Sequence, residues 1–460
     1  MKSIKSLLCC LLCFSLTACD EQHTIKEIDT PTLLANLDNP DIVIIDARED
    51  SLYNGFKEPY AKRGGHIKGA IQFRCNWFER IEASKFEQFA TQKGITKQKK
   101  LVIYDTDPES LACISAEFAA KGYQVQLFKE FVSYANVDDY PMAFFPNFQY
   151  SVSPKWLNQL LKGEKPESYH NQQFMLFEVS WGELGKAKFY TQHITGAYHF
   201  DTNWVEDSAP IWNLSDPKII EQNLLKNGIT KDKTIVLYSD NPLAAYRIFW
   251  VLRWAGVEDV RVLNGNLSTW MDEGFATETK VNIPQPETRF GAVIPANPQI
   301  NIALPQQAFQ QQQNGLKLIS SRTWEEYIGE QSGDDAIHNT GEPLGAIWGF
   351  AGSAPSNMAD FYDPDDTLRN PKEIVELWKS QQIYATDHLA FYCGTGWRAS
   401  VPWFITQLLA WENSAVYDGG WNAWQMEPHL PVQKGSIGKM KPDAKNDSGR
   451  LLKKSNSCRG

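Results

Sequence analysis

The chain has no run of Lys or Arg long enough to follow a phosphate backbone, and its formal net charge is −10, which argues against nucleic acid as a partner. The N-terminal apolar stretch, Leu7 to Leu16, is too short to cross a bilayer as a mature helix, which needs about 20 residues. Cysteine is too sparse and too widely spaced for a zinc site or a disulfide framework. Of eight cysteines, Cys9, Cys10 and Cys13 lie in that apolar stretch and Cys19 just beyond it, so Cys75, Cys113, Cys393 and Cys458 remain. Neither a metal nor a cofactor is expected, and Cys75, Cys113 and Cys458 read as ordinary side chains.

The remaining composition is that of protein folded in water: 42% hydrophobic and 22% charged residues argue against extended disorder or several membrane spans. At 460 residues the chain exceeds what one hydrophobic core serves, and about three domains are expected. Lys2 and Lys5 ahead of the apolar stretch make residues 1–19 an export signal. It ends in Leu16-Thr17-Ala18-Cys19, which resembles the lipobox of bacterial lipoproteins and implies acylation of Cys19. Asp20 resembles an inner-membrane retention signal. The expectation is a periplasmic protein of the bacterial cell envelope, touching the membrane only through that anchor. The competing reading is a plain secretory signal with Cys19 as one more hydrophobic residue.

The same block of sequence occurs three times. It begins with an apolar strand and a short motif: Ile42 to Asp46-Ala47-Arg48 before Gly65-His66-Ile67-Lys68-Gly69-Ala70, Met175 to Val179 before His193-Ile194-Thr195-Gly196-Ala197, and Leu318 to Arg322 before Gly341-Glu342-Pro343-Leu344-Gly345-Ala346. A second apolar strand follows in each copy, Leu101 to Tyr104, Ile235 to Tyr238 and Leu389 to Tyr392. Such runs without alternation suit strands buried on both faces of a parallel sheet. A loop and a helix come next; in the third copy Val401, Phe404, Ile405, Leu408 and Leu409 form one helical face. Gly122 and Gly256 suit C-terminal helix caps. The pattern predicts three α/β modules near 24–145, 150–280 and 300–435, with a proline-rich linker from Pro284 to Pro305 and a mobile tail over 436–460.

Asp-x-Arg, Gly-His-Ile-x-Gly-Ala, a buried strand running into a Cys loop, and Asp418-Gly419-Gly420-Trp421 together resemble the rhodanese family over nearly the whole chain. The resemblance implies three tandem rhodanese-like domains, each a mainly parallel five-stranded sheet flanked by helices.

The strand ends show which module carries chemistry. Cys393-Gly394-Thr395-Gly396-Trp397-Arg398 corresponds to Asp105-Thr106-Asp107-Pro108-Glu109-Ser110 and to Ser239-Asp240-Asn241-Pro242-Leu243-Ala244. Only the third loop has a thiol, so the first two modules are read as inactive. A loop between a parallel strand and a helix N-terminus gathers backbone N–H groups and the positive end of the helix dipole, which stabilises a thiolate. Gly394 and Gly396 allow close approach, Arg398 is placed to hold a sulfite or sulfonate oxygen, Thr395 to add a hydroxyl or turn the loop, and Trp397 to line the mouth or cover it. Arg322, from the Asp-x-Arg element, is read as a structural ion pair ahead of a substrate contact.

The resemblance implies sulfur transfer from thiosulfate, or another small donor, through a Cys393 persulfide to a small or protein thiol, or to cyanide in an assay. A persulfide intermediate also reconciles a reactive thiol with an oxidising compartment. Phosphatases and arsenate reductases on related folds place five residues between Cys and Arg; four intervene here, which disfavours them. Transfer from 3-mercaptopyruvate, and a non-catalytic sulfur-carrier or protein-binding role, stay open as alternatives.

Overall fold

The computed structural model describes residues 25–208, 210–333, 337–354 and 357–435. Residues 1–19, read above as an export signal ending in Cys19, and the tail with Cys458 lie outside them. Among the described residues no helix is long and apolar enough to cross a membrane.

Each repeat folds into a five-stranded, all-parallel sheet. In the first the order is Lys26–Ile28, Gln124–Phe128, Lys100–Tyr104, Ile42–Asp46, Ile71–Gln72. In the second it is Tyr198–Asp201, Phe174–Ser180, Thr234–Tyr238, Asp259–Leu263, Ser151–Val152. In the third it is Asn301–Ile302, Ser414–Tyr417, Leu389–Tyr392, Lys317–Ser320, Ile347–Trp348. The central strands are apolar runs because helices cover both faces; every residue of Thr234–Tyr238 and of Leu389–Tyr392 is buried. A two-stranded antiparallel ribbon ties each Gly-His-Ile-type motif to the end of its own module: His66–Ile67 with Met142–Ala143, His193–Ile194 with Thr277–Glu278, and Glu342–Pro343 with Val432–Gln433.

The modules are not beads on a string. Helix Pro242–Ala255 of the second packs on helix Ser400–Leu408 of the third, with Tyr246 and Phe249 each 4.8 Å, centroid to centroid, from Phe404. One apolar core runs through both modules. The first module shares a smaller apolar cluster with the second through Leu52 and Phe56, and meets the third through buried charges: Lys93 Nζ lies 3.1 Å from Asp363 and 2.7 Å from Glu373, and Arg74 lies 3.0 Å from Asp365. Desolvated ion pairs add little net stability, but they fix one orientation.

Two expectations need correcting. The proline-rich segment is not a loose spacer, because Phe290 and Ile294 are buried in the shared core and Lys231 N–H donates to Phe290 O at 3.0 Å. Nor are Cys75 and Cys113 independent: they form a disulfide, with Cα atoms 6.0 Å apart. Their separation of 38 residues matches no spacing motif. The fold joins them by setting Cys75, just past one sheet strand, beside the helix Pro108–Ala120 that carries Cys113.

Candidate active site

Strand Leu389–Tyr392 delivers Cys393 to the sheet's C-terminal edge, and helix Ser400–Leu408 begins seven residues later. Cys393 is a free thiol, 2% exposed, in the wall of a cavity of about 520 Å³. The loop is held from behind by the Asp-Gly-Gly-Trp turn: Trp421 N–H donates to Cys393 O at 2.8 Å and Asn422 N–H to Gly394 O at 3.0 Å. With those carbonyls turned to the helix Gly420–Gln425, the other side of the loop is left for a ligand. Gly396 has φ +81°, and a Cβ there would lie 2.7 Å from Asp418 Oδ1, so sterics and backbone both require glycine.

The three loops differ at the start of their helices. In the first module Asp107 caps its helix by accepting from Glu109 N–H, and in the second Asn241 accepts from Leu243 N–H. The helix after Cys393 has no side-chain cap. Its first turn is closed by the backbone instead, Ser400 N–H donating to Trp397 O at 3.1 Å and Val401 N–H to Arg398 O at 3.2 Å, with Pro402 having no N–H to satisfy, so holding an anion falls to the loop ahead of the helix. Ser239 is spent structurally, its hydroxyl donating to Asn241 O and accepting from Ala245 N–H. Asp105, raised by burial, accepts from Asp107 N–H at 2.9 Å.

Behind the thiol stands a buried ionic chain. Arg398 spends its two terminal nitrogens on Glu326, at 2.7 and 2.9 Å, instead of offering both to a substrate oxygen. Burial opposes its charge, but Glu326 and then the neighbouring Cys393 hold the guanidinium above its ordinary pKa. Burial also opposes ionisation of Glu326, yet Arg398 and Arg322 outweigh it and hold the carboxyl down at about 2. Arg322 is fully buried, 3.3 Å from Glu326 and 2.6 Å from Glu342, and donates to the carbonyls of Gly341 and Ser332. Glu342, pushed up to about 7 by burial despite Arg322, accepts from the hydroxyl of Tyr392, the residue before the cysteine.

The opposite cavity wall comes from the second module: Trp181, Asn203, Glu206, Asp207, Trp212 and Leu243 face Cys393, Thr395 and Trp397. Trp397 donates from Nε1 to Glu206 Oε2 at 3.2 Å. Burial pushes Glu206 up to about 7 against the pull of Arg247.

The profile of the rhodanese-like domain matches this chain three times, over residues 29–134, 153–273 and 305–427. The chain belongs to the rhodanese family. It is 32% identical over 414 residues to the thiosulfate sulfurtransferase YnjE of Escherichia coli K12, spanning 90% of this chain and 93% of that one. The anaerobic ergothioneine biosynthesis enzyme from Chlorobium limicola, solved with its natural substrate trimethyl histidine, superposes with a TM-score of 0.85 at 33% identity, covering 90% of this chain and all of the other. So does a variant of EanB in which ergothioneine is covalently linked to a cysteine persulfide, with 90% and 99% coverage, 33% identity and a TM-score of 0.85. As a rhodanese, the chain is a sulfurtransferase.

Of the loop residues singled out in the sequence, Cys393, Gly394, Thr395, Trp397 and Arg398 all line this rhodanese cavity, Gly396 supports the loop, and Arg322 lies behind it. Sequence reasoning missed Glu326 and the second module's wall. A capping-box signal, Thr323 to Glu326, does mark Glu326, but it points to a helix start and not to Arg398.

Proposed function

We propose that Cys393 takes the outer sulfur of thiosulfate and hands it on as a persulfide. The thiolate attacks the sulfane sulfur, the sulfur–sulfur bond of thiosulfate breaks, and sulfite leaves with the electron pair. A thiolate acceptor, or cyanide, then attacks the terminal persulfide sulfur and returns Cys393 as thiolate. N–H groups fixed before the reaction stabilise both anions without rearrangement. The observation that carries this reading is the contrast between the loops: of three equivalent strand-to-helix turns, the third sets a free thiol in a cavity wall where the others hold Asp105, in an internal turn, and Ser239, whose hydroxyl is spent on the backbone. The name of YnjE supports thiosulfate as donor. Purified protein is expected to release sulfite from thiosulfate with cyanide present and to gain one sulfur atom in intact mass. Cys393→Ser is expected to do neither, and a variant of undiminished activity would remove the assignment.

A second reading concerns the acceptor. The cavity is large for thiosulfate alone, is walled by Trp181, Trp212 and Trp397, and carries Glu206 and Asp207, while Arg398 is neutralised by Glu326. Tryptophan faces beside carboxylates suit a cationic, methylated ammonium. The Chlorobium limicola relative takes trimethyl histidine, and we place the same acceptor class here. Incubating the persulfide form with trimethyl histidine should discharge it and yield a sulfur-bearing imidazole; discharge by simple thiols alone would eliminate this reading. The Cys75–Cys113 disulfide suits the oxidising envelope compartment that the N-terminal segment suggests.

A further inference from the structure

The second module has no thiol, yet two of its side chains are built into the loop that carries Cys393. Arg247, on helix Pro242–Ala255, is fully buried and reaches across the module boundary. Its Nε donates to Glu206 Oε1 at 2.7 Å and its Nη2 forms an ion pair with Asp418 Oδ1 at 2.7 Å. The other oxygen of Glu206 accepts from Trp397 Nε1, and the other oxygen of Asp418 accepts from Leu214 N–H at 2.8 Å. Gly396 is wedged between them, since a Cβ at that position would lie 2.7 Å from Asp418 Oδ1 and 2.9 Å from Arg247 Nη1. The chain Trp397–Glu206–Arg247–Asp418 thus leaves the catalytic loop four residues after Cys393, crosses the second module and returns under the same loop.

The segment bearing Glu206 is shaped with equal care. Glu206 and Leu214 form an isolated antiparallel bridge, and Asp207 N–H donates to Asn213 O at 2.8 Å. Between them Trp212 is held at φ +57°, a left-handed conformation costly for an aromatic residue, with its side chain in the cavity wall. Burying two carboxylates and a guanidinium between modules that already share an apolar core is a poor way to gain stability. What it supplies is position, because the Nε–H of Arg247 donates to Glu206 while its charge holds Asp418 at 2.7 Å.

We infer that Glu206 and Arg247 are positioning residues for the sulfur transfer, holding the Cys393 loop through Trp397 and Asp418, so that the thiol-free second module completes the active site. The inference rests on Cys393 being the reacting thiol. Misplacing a reacting group by about 1 Å costs on the order of a hundredfold in rate, so partial release of the loop should be readable well above error.

The test uses the full-length protein with Glu206→Gln, Trp397→Phe and the double variant. Glu206→Gln keeps the shape and removes the charge facing Arg247; Trp397→Phe keeps a ring and removes the one donor. Two rates are followed, persulfide formation from thiosulfate and alkylation of Cys393 by iodoacetamide, beside the thermal midpoint. Each single variant should slow both rates by about tenfold or more, with kcat reduced and the KM for thiosulfate little changed. The double variant should be no slower than the slower single, because both changes cut one path. A Glu206→Gln protein that alkylates at the wild-type rate, whatever its thermal midpoint, overturns the inference, as do losses that multiply in the double variant. Should Glu206→Gln fail to fold, Trp397→Phe decides alone on the same two rates. If wild-type protein forms no persulfide, the proposed reaction fails while the alkylation rates still decide this point.

Discussion

The Glu326 carboxylate lets the buried ionic chain be tested with one substitution. It accepts both terminal nitrogens of Arg398 and lies 3.3 Å from Arg322, with under a tenth of any of these side chains exposed. Its pKa falls from 4.5 in the unfolded chain to about 2 in the fold. At about 1.4 kcal/mol per unit, this is worth roughly 3 kcal/mol of folding stability. Because the folded-state value is the lower one, that stabilisation is complete above the unfolded value and fades as the pH drops from about 4.5 to about 2. Glu326→Gln keeps the volume but leaves two buried guanidinium groups under-compensated, a change of about 3–5 kcal/mol. Urea unfolding followed by tryptophan fluorescence should therefore show a loss of about 3 kcal/mol at pH 7, and the gap between variant and wild type should narrow as the pH falls toward 3. The variant should also slow persulfide formation, since Arg398 lines the cavity with Cys393 and Glu326 holds Arg398 in place. Equal unfolding midpoints at pH 7, or a gap that stays constant with pH, would refute the reasoning.

Three further outcomes are expected. Closing a loop of 38 residues, the Cys75–Cys113 bond should contribute roughly 4 kcal/mol by chain entropy, so Cys113→Ser or added dithiothreitol should lower the first module's unfolding midpoint; an unchanged melt under reduction would show the bond to be idle. If Cys19 is acylated as the sequence suggests, a Cys19→Ala protein expressed with residues 1–19 should move from the membrane to the soluble envelope fraction, and identical partitioning would favour a plain secretory signal. Trp212→Ala should weaken discharge of the persulfide by trimethyl histidine at least tenfold while sparing cyanide; equal losses with both acceptors would assign Trp212 to the loop's framework and not to substrate binding.

Much of this architecture was legible before any coordinates. The strands Ile42–Asp46, Thr234–Tyr238 and Leu389–Tyr392 are apolar runs, and such runs fit parallel sheets buried on both faces. The Cys393 loop stood out because two aligned copies lack the thiol, and the difference in helix capping can be read, in retrospect, from Asp107 and Asn241 each followed by proline. The ion pairing of Arg322 agrees with the local reading of Asp-x-Arg. Arg398 was less predictable: its partner lies 72 residues away, and nothing near it in the sequence distinguishes a guanidinium aimed at substrate from one held by Glu326.

Sequence alone determined what depends on neighbours in the chain: three α/β units, which of the three aligned loops carries a thiol, and the glycines that loop needs. Tertiary structure decided what depends on neighbours in space. It joined Cys75 to Cys113, turned the proline-rich segment into a strap, and brought Glu206 and Arg247 of one module against Trp397 and Asp418 of another. The physical reason is range: helix, strand and turn preferences act over a few residues, whereas charge pairing and cavity walls are set by how folded modules dock, and the two sides of such a contact share no local pattern.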